Sequence, residues 1–549
     1  MYKLKNVPLF PEYRFGIRPL DEYIKIHADR VPDRVLFHYY GTDITYREMD
    51  SYIDQLAAWL HSVGFQKGDT VGLFMQNCPQ FTIAFFAVQR LGGIISAFSP
   101  MFKEWDLEFE LNELRAKYII ANTYLYPIIK NVIPTTSLER VILTDLKYFV
   151  KSDSPVPWTF AYQEPDSLGD SDRMMETLTG VSVKPPKLER DIDDVSLIMF
   201  TSGTTGLPKG AMLTYMNALY KSVGGSQTFY FHEHQKFLQT QPMCHIAGMN
   251  FINDTFYLGA TACILTAATP ESICAAIERY WLDTWYTTSL LAKMVMDYPA
   301  VGKYNLHTMR SCITSGFGIP TSQELIDAWN EFIPRSVMQE AAFGLTESHT
   351  ADTLVPPELV IVGGNGMSPF PEMLVKIIED GKERAIGEVG EIVLKNKGVF
   401  KGYLNNPAAT AEVLRDGWLY TGDAGKLDEN GYLYFLGRRK EMIKSSGFSV
   451  FPDEVELYMG RHPAIDKVLV VGKTDAKKGE IIKAFATLKP AYKGKITAEE
   501  LIEWAKDKMA SYKRPRELEI REALPLNSTG KLMRRLLKEE EEKKLGQTR

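Results

Sequence analysis

Short apolar runs alternate with amphipathic helical patterns through the first 350 residues. Residues 46–61 have helical spacing, and residues 70–75 resemble a strand after a Lys-Gly-Asp turn. Residues 195–200, apolar except for one serine, have the pattern of a buried strand, and residues 324–332 are again helical. Alternating strands and helices bury their apolar surfaces best as helices packed on largely parallel sheets. The pattern therefore predicts an α/β fold of stacked layers.

The second half of the chain has a different pattern. Between residue 356 and about residue 436, strand-like pieces are separated by Gly and Pro turns, which predicts a smaller β-rich subdomain. Beyond the cations at 438–440, an apolar strand (468–471) and a helix (498–509) predict a small α+β domain. We therefore divide the chain into an N-terminal domain, 1–439, and a C-terminal domain, 440–549. The charged run at 538–544 is predicted to be a solvated helical tail.

Charge divides the chain at almost the same place. The 549 residues carry a net charge of -6, but residues 437–549 carry +8 and residues 1–436 carry -14. Hydrophobic residues make up 45% and charged residues 24%, which is the composition of an ordinary globular protein and excludes collagen-like or disordered chains. The mild overall acidity argues against duplex nucleic acid as the main partner.

Cysteine usage and hydropathy bear on the compartment. The five cysteines are scattered and include no Cys-x-x-Cys pair, so we expect reduced thiols rather than a disulfide or zinc framework. The N-terminus carries early charges and prolines instead of the apolar core of a signal peptide. The most apolar stretch, 82–98, falls short of the roughly 20 residues that span a bilayer. We expect a cytoplasmic protein without an integral membrane segment.

A loop rich in glycine and hydroxyl groups follows the apolar run at 195–200, and we expect a helix after it. Its sequence, from residue 201 to residue 210, is Thr-Ser-Gly-Thr-Thr-Gly-Leu-Pro-Lys-Gly. Glycines let backbone N–H groups approach phosphate oxygens, the hydroxyls add donors, and the lysine adds a cation. The spacing does not fit a Walker A loop. The predicted phosphate-binding residues are Thr201, Ser202, Gly203, Thr204, Thr205, Gly206 and Lys209.

This loop resembles the phosphate-binding signature of the acyl-adenylate-forming enzymes, which include the acyl-CoA synthetases. Four further segments resemble motifs of that family in the same order: 339–347, with phenylalanine replacing the usual tyrosine, then 420–423, 437–447 and 525–531. The resemblance extends from about residue 40 to residue 535. It implies a large N-terminal domain of layered α/β subdomains, a mobile C-terminal domain, and ATP-dependent ligation of a fatty acid to CoA through an acyl-adenylate.

The resemblance also implies roles in adenylate formation. Glu347 would ligate Mg²⁺, a hard cation suited to carboxylate and phosphate oxygens, and Thr346 would contact the α-phosphate. Asp423 would accept hydrogen bonds from the ribose hydroxyls, with Arg438 as an additional donor. Lys531 would bridge the substrate carboxylate and the α-phosphate. The residues placed at the adenosine are Gly316, Phe343, which would stack near adenine, and Gly344.

Thioester formation would follow a rotation of the C-terminal domain about Lys440. The pantetheine arm of CoA would then pass Gly447, where a side chain would obstruct it, and Lys444 would lie nearby. The sequence stops 18 residues after Lys531, so we expect free CoA rather than a fused carrier domain as the acceptor. CoA is strongly anionic, and a domain of net charge +8 would attract it.

The identity of the carboxylic acid substrate is predicted less precisely than the reaction. Residues 241–248 resemble the family segment that carries a pocket histidine, and 315–320 departs from the usual Gly-Gly-Ala-Pro pattern. No Phe-Asp motif for an amino-acid substrate is present. A medium- or long-chain fatty acid is our first expectation; an aryl- or short-chain acyl-CoA ligase and a non-catalytic homologue are the alternatives, and a homodimer is left open. The predicted pocket residues are His245, Gly248, Met249 and Phe317, with Phe251 and Leu290 as further apolar candidates.

Overall fold

The structure is a computed structural model that describes residues 10–179, 184–201, 207–315, 321–340, 343–355, 366–445, 448–475, 479–506, 508–509, 511–526 and 532–547. The α-helices are α1 Leu20–Arg30, α2 Tyr46–Ser62, α3 Pro79–Arg90, α4 Glu104–Leu114, α5 Tyr126–Val132, α6 Met174–Leu178, α7 Tyr215–Thr228, α8 Ile246–Leu258, α9 Pro270–Tyr280, α10 Ser289–Met296, α11 Gln323–Phe332, α12 Pro407–Val413, α13 Pro452–Met459, α14 Ala498–Lys506 and α15 Arg534–Gln547.

The strands of the N-terminal half are β1 Val35–Tyr39, β2 Thr42–Thr45, β3 Thr70–Phe74, β4 Ile94–Phe98, β5 Tyr118–Asn122, β6 Arg140–Thr144, β7 Asp172–Arg173, β8 Val195–Thr201, β9 Lys209–Thr214, β10 Lys236–Gln239, β11 Thr261–Ile264, β12 Thr284–Thr288, β13 Ser311–Ser315 and β14 Val337–Glu340. Those that follow are β15 Thr353–Leu354, β16 Gly366–Pro369, β17 Leu374–Glu379, β18 Lys382–Glu383, β19 Gly390–Lys395, β20 Gly402–Tyr403, β21 Leu414–Arg415, β22 Trp418–Leu427, β23 Leu433–Arg438, β24 Ile443–Ser445, β25 Phe448–Val450, β26 Ile465–Asp475, β27 Gly479–Leu488 and β28 Glu517–Ile520.

Two largely parallel sheets form the layered body of the chain. One has the strand order β14-β13-β12-β10-β11-β1-β2, with only β2 running antiparallel to its neighbour. The other has the order β20-β9-β8-β4-β3-β5-β6-β7, in which β9 runs antiparallel to both of its neighbours, β8 and β20. Helices pack on these sheets around a common apolar core. The prediction of an α/β fold with layered sheets is confirmed.

The remaining described strands form two further sheets, one of eight strands, in which β21 pairs with β22, and one of five. The antiparallel sheet β15-β16-β23-β22-β19-β17-β18 lies in the region that we predicted to be β-rich. The sheet of β24 to β28, packed with α13, α14 and α15, has apolar clusters of its own and gives the predicted α+β character. In the part of the chain that the structure describes, no helix is long and apolar enough to cross a bilayer.

Several helices begin where side chains can bind their first N–H groups. At α2, the Thr45 hydroxyl accepts a hydrogen bond from the Glu48 N–H, and the Glu48 carboxylate accepts one from the Thr45 N–H. Thr214 and Asn217 form the same reciprocal pair at the start of α7. Such capping boxes satisfy donors that an α-helix leaves unpaired. They fix the first turn of α7, a helix that also borders the site described below.

Two predictions of local structure were wrong. The segment after the 201–210 loop is the strand β9, not a helix, and the helix α7 follows that strand. The charged run at 538–544 lies in the helix α15, but this helix is not a solvated tail. Leu537 packs into an apolar cluster, and buried Glu541 pairs with the Lys483 Nζ at 2.9 Å. An ion pair with β27 lets α15 bury a carboxylate, which charge counting along the sequence could not show.

Candidate active site

The glycine- and hydroxyl-rich loop connects two antiparallel strands. Thr201 ends β8 and pairs with Lys209, the first residue of β9, so both ends of the loop are fixed by the sheet. The predicted phosphate-binding residues Ser202, Gly203, Thr204, Thr205 and Gly206 lie outside the described residues. What the structure places is the base of the loop, with Lys209 at its edge.

Thr346 and Glu347 lie in a one-turn 3-10 helix, Thr346–Ser348. The Tyr403 hydroxyl donates a hydrogen bond of 2.7 Å to Glu347 Oε1, and the Phe400 N–H donates one of 2.8 Å to the Glu347 carbonyl. Tyr403 lies on β20, which pairs with β9. The Lys209 Nζ lies 5.1 Å from the centre of the Tyr403 ring, within cation–π range. Three distant segments thus bring a lysine, a tyrosine and a glutamate together.

Arg438 interacts electrostatically with Tyr403 of the same cluster. Burial raises the pKa of Tyr403, the Glu347 carboxylate raises it further, and the Arg438 guanidinium opposes the rise. The phenol therefore stays protonated and acts as a donor to Glu347. A carboxylate that accepts one hydrogen bond at Oε1 still has a second oxygen for a cation.

Asp423 and Arg438 form a cross-strand pair between β22 and β23. The Arg438 Nε lies 3.0 Å from Asp423 Oδ1, and the two residues are opposite each other in the ladder. The Asp423 side chain is 1% exposed, whereas that of Arg438 is 42% exposed. The Asp423 N–H donates to the Thr421 hydroxyl at 3.1 Å, which fixes the carboxylate's backbone. The geometry brings together the two residues that were predicted to hold a ribose.

A buried ion pair underlies the Glu347 turn. Lys221 of α7 and Asp352 are both fully buried, with the Nζ 2.8 Å from Oδ1, and Lys221 also donates to the Ala351 carbonyl at 3.2 Å. The Ser348 hydroxyl donates a short hydrogen bond to the other oxygen of Asp352, and the Asn396 amide donates to Oδ1 at 3.4 Å. Together, these contacts fix the segment that follows Glu347.

That segment is conformationally unusual. His349, Thr350 and Ala351 have φ values of 57°, 56° and 46°, a left-handed conformation that non-glycine residues adopt at a cost of the order of 1 kcal/mol each. The backbone passes so close to Gly344 that a β-carbon there would lie 2.3 Å from the Ala351 nitrogen. Glycine is therefore required at 344 by the backbone, independently of any ligand. Phe343, beside it, is buried 5.5 Å from the Phe435 ring.

The predicted residues of the C-terminal half are described only in part. Lys440 is exposed in the 3-10 turn Arg439–Glu441, next to the Arg439 guanidinium, which binds Glu379 and Glu391 at 3.0 Å each. For Lys444, only the backbone is described, in β24. The predicted residues Gly316, Phe317, Gly447 and Lys531 lie outside the described residues.

An apolar cavity lies between α7, α8 and the segment after Glu347. It contains about 360 Å³ of empty volume, including its opening to solvent. The residues lining it are Gly225, Phe229, Phe231, Ala247, Asn250, Phe251, Asp254, Tyr286, Ile313, Thr350, Ala351, Leu354 and Phe370.

Three predicted pocket residues lie beside this cavity rather than in its lining. His245 is exposed and caps α8, its Nδ1 accepting a hydrogen bond of 3.3 Å from the Ala247 N–H. Gly248 faces the chain before the helix, since a β-carbon there would lie 2.1 Å from the Pro242 carbonyl oxygen. Met249 is buried in the core. Phe251, named as an apolar candidate, does line the cavity.

Of the described residues, Glu347 is the carboxylate that was predicted to bind Mg²⁺. Among the described residues, no three His, Cys, Asp or Glu side chains are close enough to hold a metal ion by themselves. Glu347, with one oxygen bound to Tyr403, fits a cation that takes most of its ligands from phosphates and water, as Mg²⁺ does in many nucleotide sites.

Sequence reasoning missed Tyr403, the Lys221–Asp352 pair and two polar residues of the cavity. No local pattern points to Tyr403, because its role comes from pairing of β20 with β9. For the cavity a signal existed: Ala247, Asn250, Phe251 and Asp254 have the spacing i, i+3, i+4 and i+7, which places them on one face of α8.

Comparison with known proteins places the chain in a family. The model of the AMP-binding enzyme family matches residues 24–404, and that of the AMP-binding enzyme C-terminal domain matches residues 454–531. The long-chain-fatty-acid–CoA ligase of Bacillus subtilis (strain 168) is 30% identical over 542 residues, which cover 95% of each chain. "Probable 4-coumarate--CoA ligase 1" of Dictyostelium discoideum is 30% identical over 553 residues, covering 96% of each.

A similar structure has also been solved. The anthranilate CoA ligase crystallised with anthranoyl-AMP has a TM-score of 0.82 with this chain at 22% identity, with 97% of this chain and 98% of the other covered. The fold of the whole described chain is thus one that is already known.

Proposed function

Because the chain belongs to the AMP-binding enzyme family, we propose that it is an acid–CoA ligase that uses ATP and forms AMP and pyrophosphate through an acyl-adenylate. The observation that carries the proposal is the convergence of Lys209, Tyr403 and Glu347 at the base of the loop 201–210. The names of the full-length relatives support the same reaction class.

Adenylate formation makes a carboxylate oxygen into a good leaving group. The acid attacks the α-phosphorus of ATP and expels pyrophosphate, so negative charge must be neutralised around the phosphates. We assign this task to Lys209 and the loop residues, with Thr346 beside the α-phosphate. Asp423 and Arg438 would hold the ribose, and Phe343 and Gly344 would border the adenine. Lys531 would approach the reacting carboxylate from the C-terminal domain.

Glu347 is the residue that we assign to Mg²⁺. When bound, the ion would neutralise phosphate charge. Tyr403 donates to Oε1 and thereby orients the carboxylate, while the buried Lys221–Asp352 pair holds the backbone that follows. In this assignment Tyr403, Lys221 and Asp352 are positioning residues.

Thioester formation requires a different arrangement of the C-terminal domain, residues 440–549. We propose that this domain rotates about Lys440, which withdraws Lys531 and presents the segment containing Lys444 and Gly447 to the arm of CoA. The exposure of Lys440 in a short turn supports a hinge there. The positive charge of residues 437–549 favours the approach of CoA.

A fatty acid is the first candidate substrate, because the cavity lined by Thr350 and Ala351 is largely apolar and a full-length relative is a long-chain-fatty-acid–CoA ligase. An aromatic acid is the second candidate. It is favoured by Phe251 and Tyr286, which stack with ring centres 5.1 Å apart at the cavity, and by the name of the Dictyostelium relative. A flat substrate ring would fit against such a pair.

The test is AMP release with ATP, Mg²⁺, CoA and a panel of alkyl and aryl acids. We expect acid-dependent AMP release that requires CoA for turnover. In the Lys531→Ala variant, adenylate formation should fall while thioester formation from supplied acyl-adenylate persists; Lys538→Ala, an exposed lysine of α15, is the matched control. No AMP with any acid would favour a non-catalytic binding protein.

We further propose that the protein acts in the cytoplasm as an enzyme of small-molecule substrates. The cysteines in the described chain are all free thiols, which is compatible with a reducing compartment. Self-association as a homodimer is a separate hypothesis, which sedimentation velocity over a range of concentrations would test.

A further inference from the structure

Two polar side chains of α8 line a largely apolar cavity, whose lining also includes the hydroxyl-bearing residues Thr350 and Tyr286. Asp254 is 4% exposed and Asn250 is 7% exposed, and both line the cavity between α7 and α8. Within the described part of the chain, neither Asp254 Oδ1 nor Asn250 Oδ1 has a hydrogen-bond partner. Buried polar atoms are almost always paired, and leaving one unpaired costs about 1–3 kcal/mol. These two acceptors therefore require an explanation.

Among the described residues, no side chain of opposite charge pairs with Asp254. Burial alone raises the pKa of its carboxyl well above the usual range, which favours the neutral form. Gly225 lies against it: a β-carbon there would be 3.5 Å from Asp254 Oδ2, so the absence of a side chain at 225 keeps the space beside the carboxyl open. Asn250 lies one turn earlier on the same helix face.

The cavity is lined in part by residues that lie close to Glu347 in the chain. Thr350 and Ala351, three and four residues after Glu347 in the chain, line it. An acid whose carboxyl group lies near Glu347 would therefore extend its carbon skeleton between α7 and α8. We propose, on the basis of the ligase activity proposed above, that the substrate is a carboxylic acid with a hydroxyl group on its carbon skeleton, and that this hydroxyl pairs with Asp254 and Asn250.

A hydroxyl group suits both partners. It can donate to Asn250 Oδ1 and accept from a neutral Asp254 carboxyl, so one group satisfies two buried side chains. An ammonium group would require an ionised carboxylate in this apolar environment, and an alkyl chain would leave both polar side chains unpaired. A site built to bind a hydroxyl rejects the analogue without it much more strongly than an apolar pocket rejects an extra methylene.

The experiment compares matched acids. We would measure kcat/KM for AMP release with 4-hydroxyphenylacetate against phenylacetate, 6-hydroxyhexanoate against hexanoate, and 10-hydroxydecanoate against decanoate. In at least one pair, the hydroxylated acid should be favoured by about 100-fold or more. No preference in any pair, a preference for the unsubstituted acids, or a preference for 6-aminohexanoate over 6-hydroxyhexanoate would overturn the proposal.

Variants separate recognition from structure. In the Asp254→Leu variant the preference should be lost, with kcat/KM falling for the hydroxylated acid and rising for its partner, while the melting temperature rises because a buried unpaired carboxyl is gone. Asp254→Asn, which keeps the size and polarity, should retain most of the preference. Thr255→Val is the matched control, since Thr255 is another buried polar side chain of α8, with a hydroxyl that has no partner in the described chain, but it lies outside the cavity lining. An Asp254→Leu variant that melts lower with its preference unchanged would refute the proposed role.

The outcome is distinguishable from failure of the ligase assignment. If unsubstituted acids are turned over as well as hydroxylated ones, the ligase activity stands and the hydroxyl proposal fails. If no acid gives AMP, the ligase assignment fails, and the rise in melting temperature with hydroxylated against unsubstituted acids still measures recognition. An equal rise within each matched pair would then contradict the hydroxyl proposal.

Discussion

Two clusters of buried polar side chains share the helix α7, and they differ in one respect. Around Lys221, the charged and polar groups of Ser348, Asp352 and Asn396 satisfy one another. One turn further along α7, at Gly225, the acceptors of the cavity have no partner among the described residues. The same few residues after Glu347 contact both clusters.

The difference separates positioning from recognition. A fully paired buried network holds its backbone in one geometry, here the left-handed segment that follows Glu347. An unpaired acceptor in a cavity destabilises the free protein, so it is expected where a ligand supplies the missing donor. Substitutions in the paired cluster should therefore lower the free energy of unfolding. Apolar substitutions in the unpaired cluster should raise it.

Breaking the paired cluster should have the largest effect. Lys221→Met leaves the Asp352 charge buried without its partner, which should lower the free energy of unfolding by about 3–5 kcal/mol. Urea denaturation followed by tryptophan fluorescence would measure it. The double variant Lys221→Met/Asp352→Leu should recover much of the loss, because no lone charge remains. If Lys221→Met and Asp254→Leu shifted stability in the same direction, the contrast between the clusters would be wrong.

Glu347→Gln tests chemistry rather than stability. Removing the charge proposed to ligate Mg²⁺ should lower kcat for AMP release by about 100- to 1000-fold. The melting temperature should change little, because Glu347 is only partly buried and its bond from Tyr403 can persist to the amide oxygen. Glu412→Gln, an exposed carboxylate of the neighbouring helix α12, should retain full activity. Equal losses in both variants would argue against a specific role for Glu347.

Local periodicity predicted the elements well, and contacts between distant segments account for the failures. The helix α2 and the strands β3 and β8 were found within a residue of their predicted ends, because each has a local apolar pattern of its own. The strand β9 was missed since its partner is β8 across the loop, and the loop residues alone suggest a strand-to-helix turn. A sequence shows which residues alternate, but not which strand will pair with them.

The residues of the candidate site also form two groups: those predicted from local motifs and those whose role depends on distant segments. The motifs containing Lys209, Glu347 and Asp423 were readable because they are local, and the structure brings Lys209 and Glu347 to the same tyrosine. Tyr403 and Asp254 were not readable as site residues. Their significance depends on neighbours that are far away in the chain, a glutamate for one and a glycine of α7 for the other.

His349 is an exception within the paired region, because its imidazole is unpaired among the described residues, and it should make stability depend on pH. Neither ring nitrogen has a partner within the described residues, and burial, reinforced by Lys221, lowers the pKa of His349 to about 3. The unfolded chain takes up this proton near pH 6.5, whereas the folded chain does not until about pH 3, so stability falls as the pH drops through that window. Between pH 7 and pH 5 the expected loss is about 2 kcal/mol.

His349→Asn isolates this contribution, because asparagine tolerates the left-handed conformation and does not titrate. The difference in unfolding free energy between the variant and the unsubstituted protein should change by about 2 kcal/mol from pH 7 to pH 5, in favour of the variant. Other groups titrate equally in both proteins and cancel. A difference that stays constant with pH would show that His349 is protonated or paired in the folded protein.

Tyr403→Phe should have the smallest effect, since it removes one hydrogen bond from a carboxylate that solvent and Mg²⁺ can still reach. The loss of about 1 kcal/mol corresponds to a roughly fivefold lower kcat/KM for AMP release, with a higher Mg²⁺ concentration needed for half-maximal rate. Tyr434→Phe is the matched control, because its hydroxyl binds the Asp428 carboxylate at 3.2 Å, away from the site. If both variants respond alike to Mg²⁺, Tyr403 only packs against Lys209, and the paired cluster ends at the backbone of Glu347.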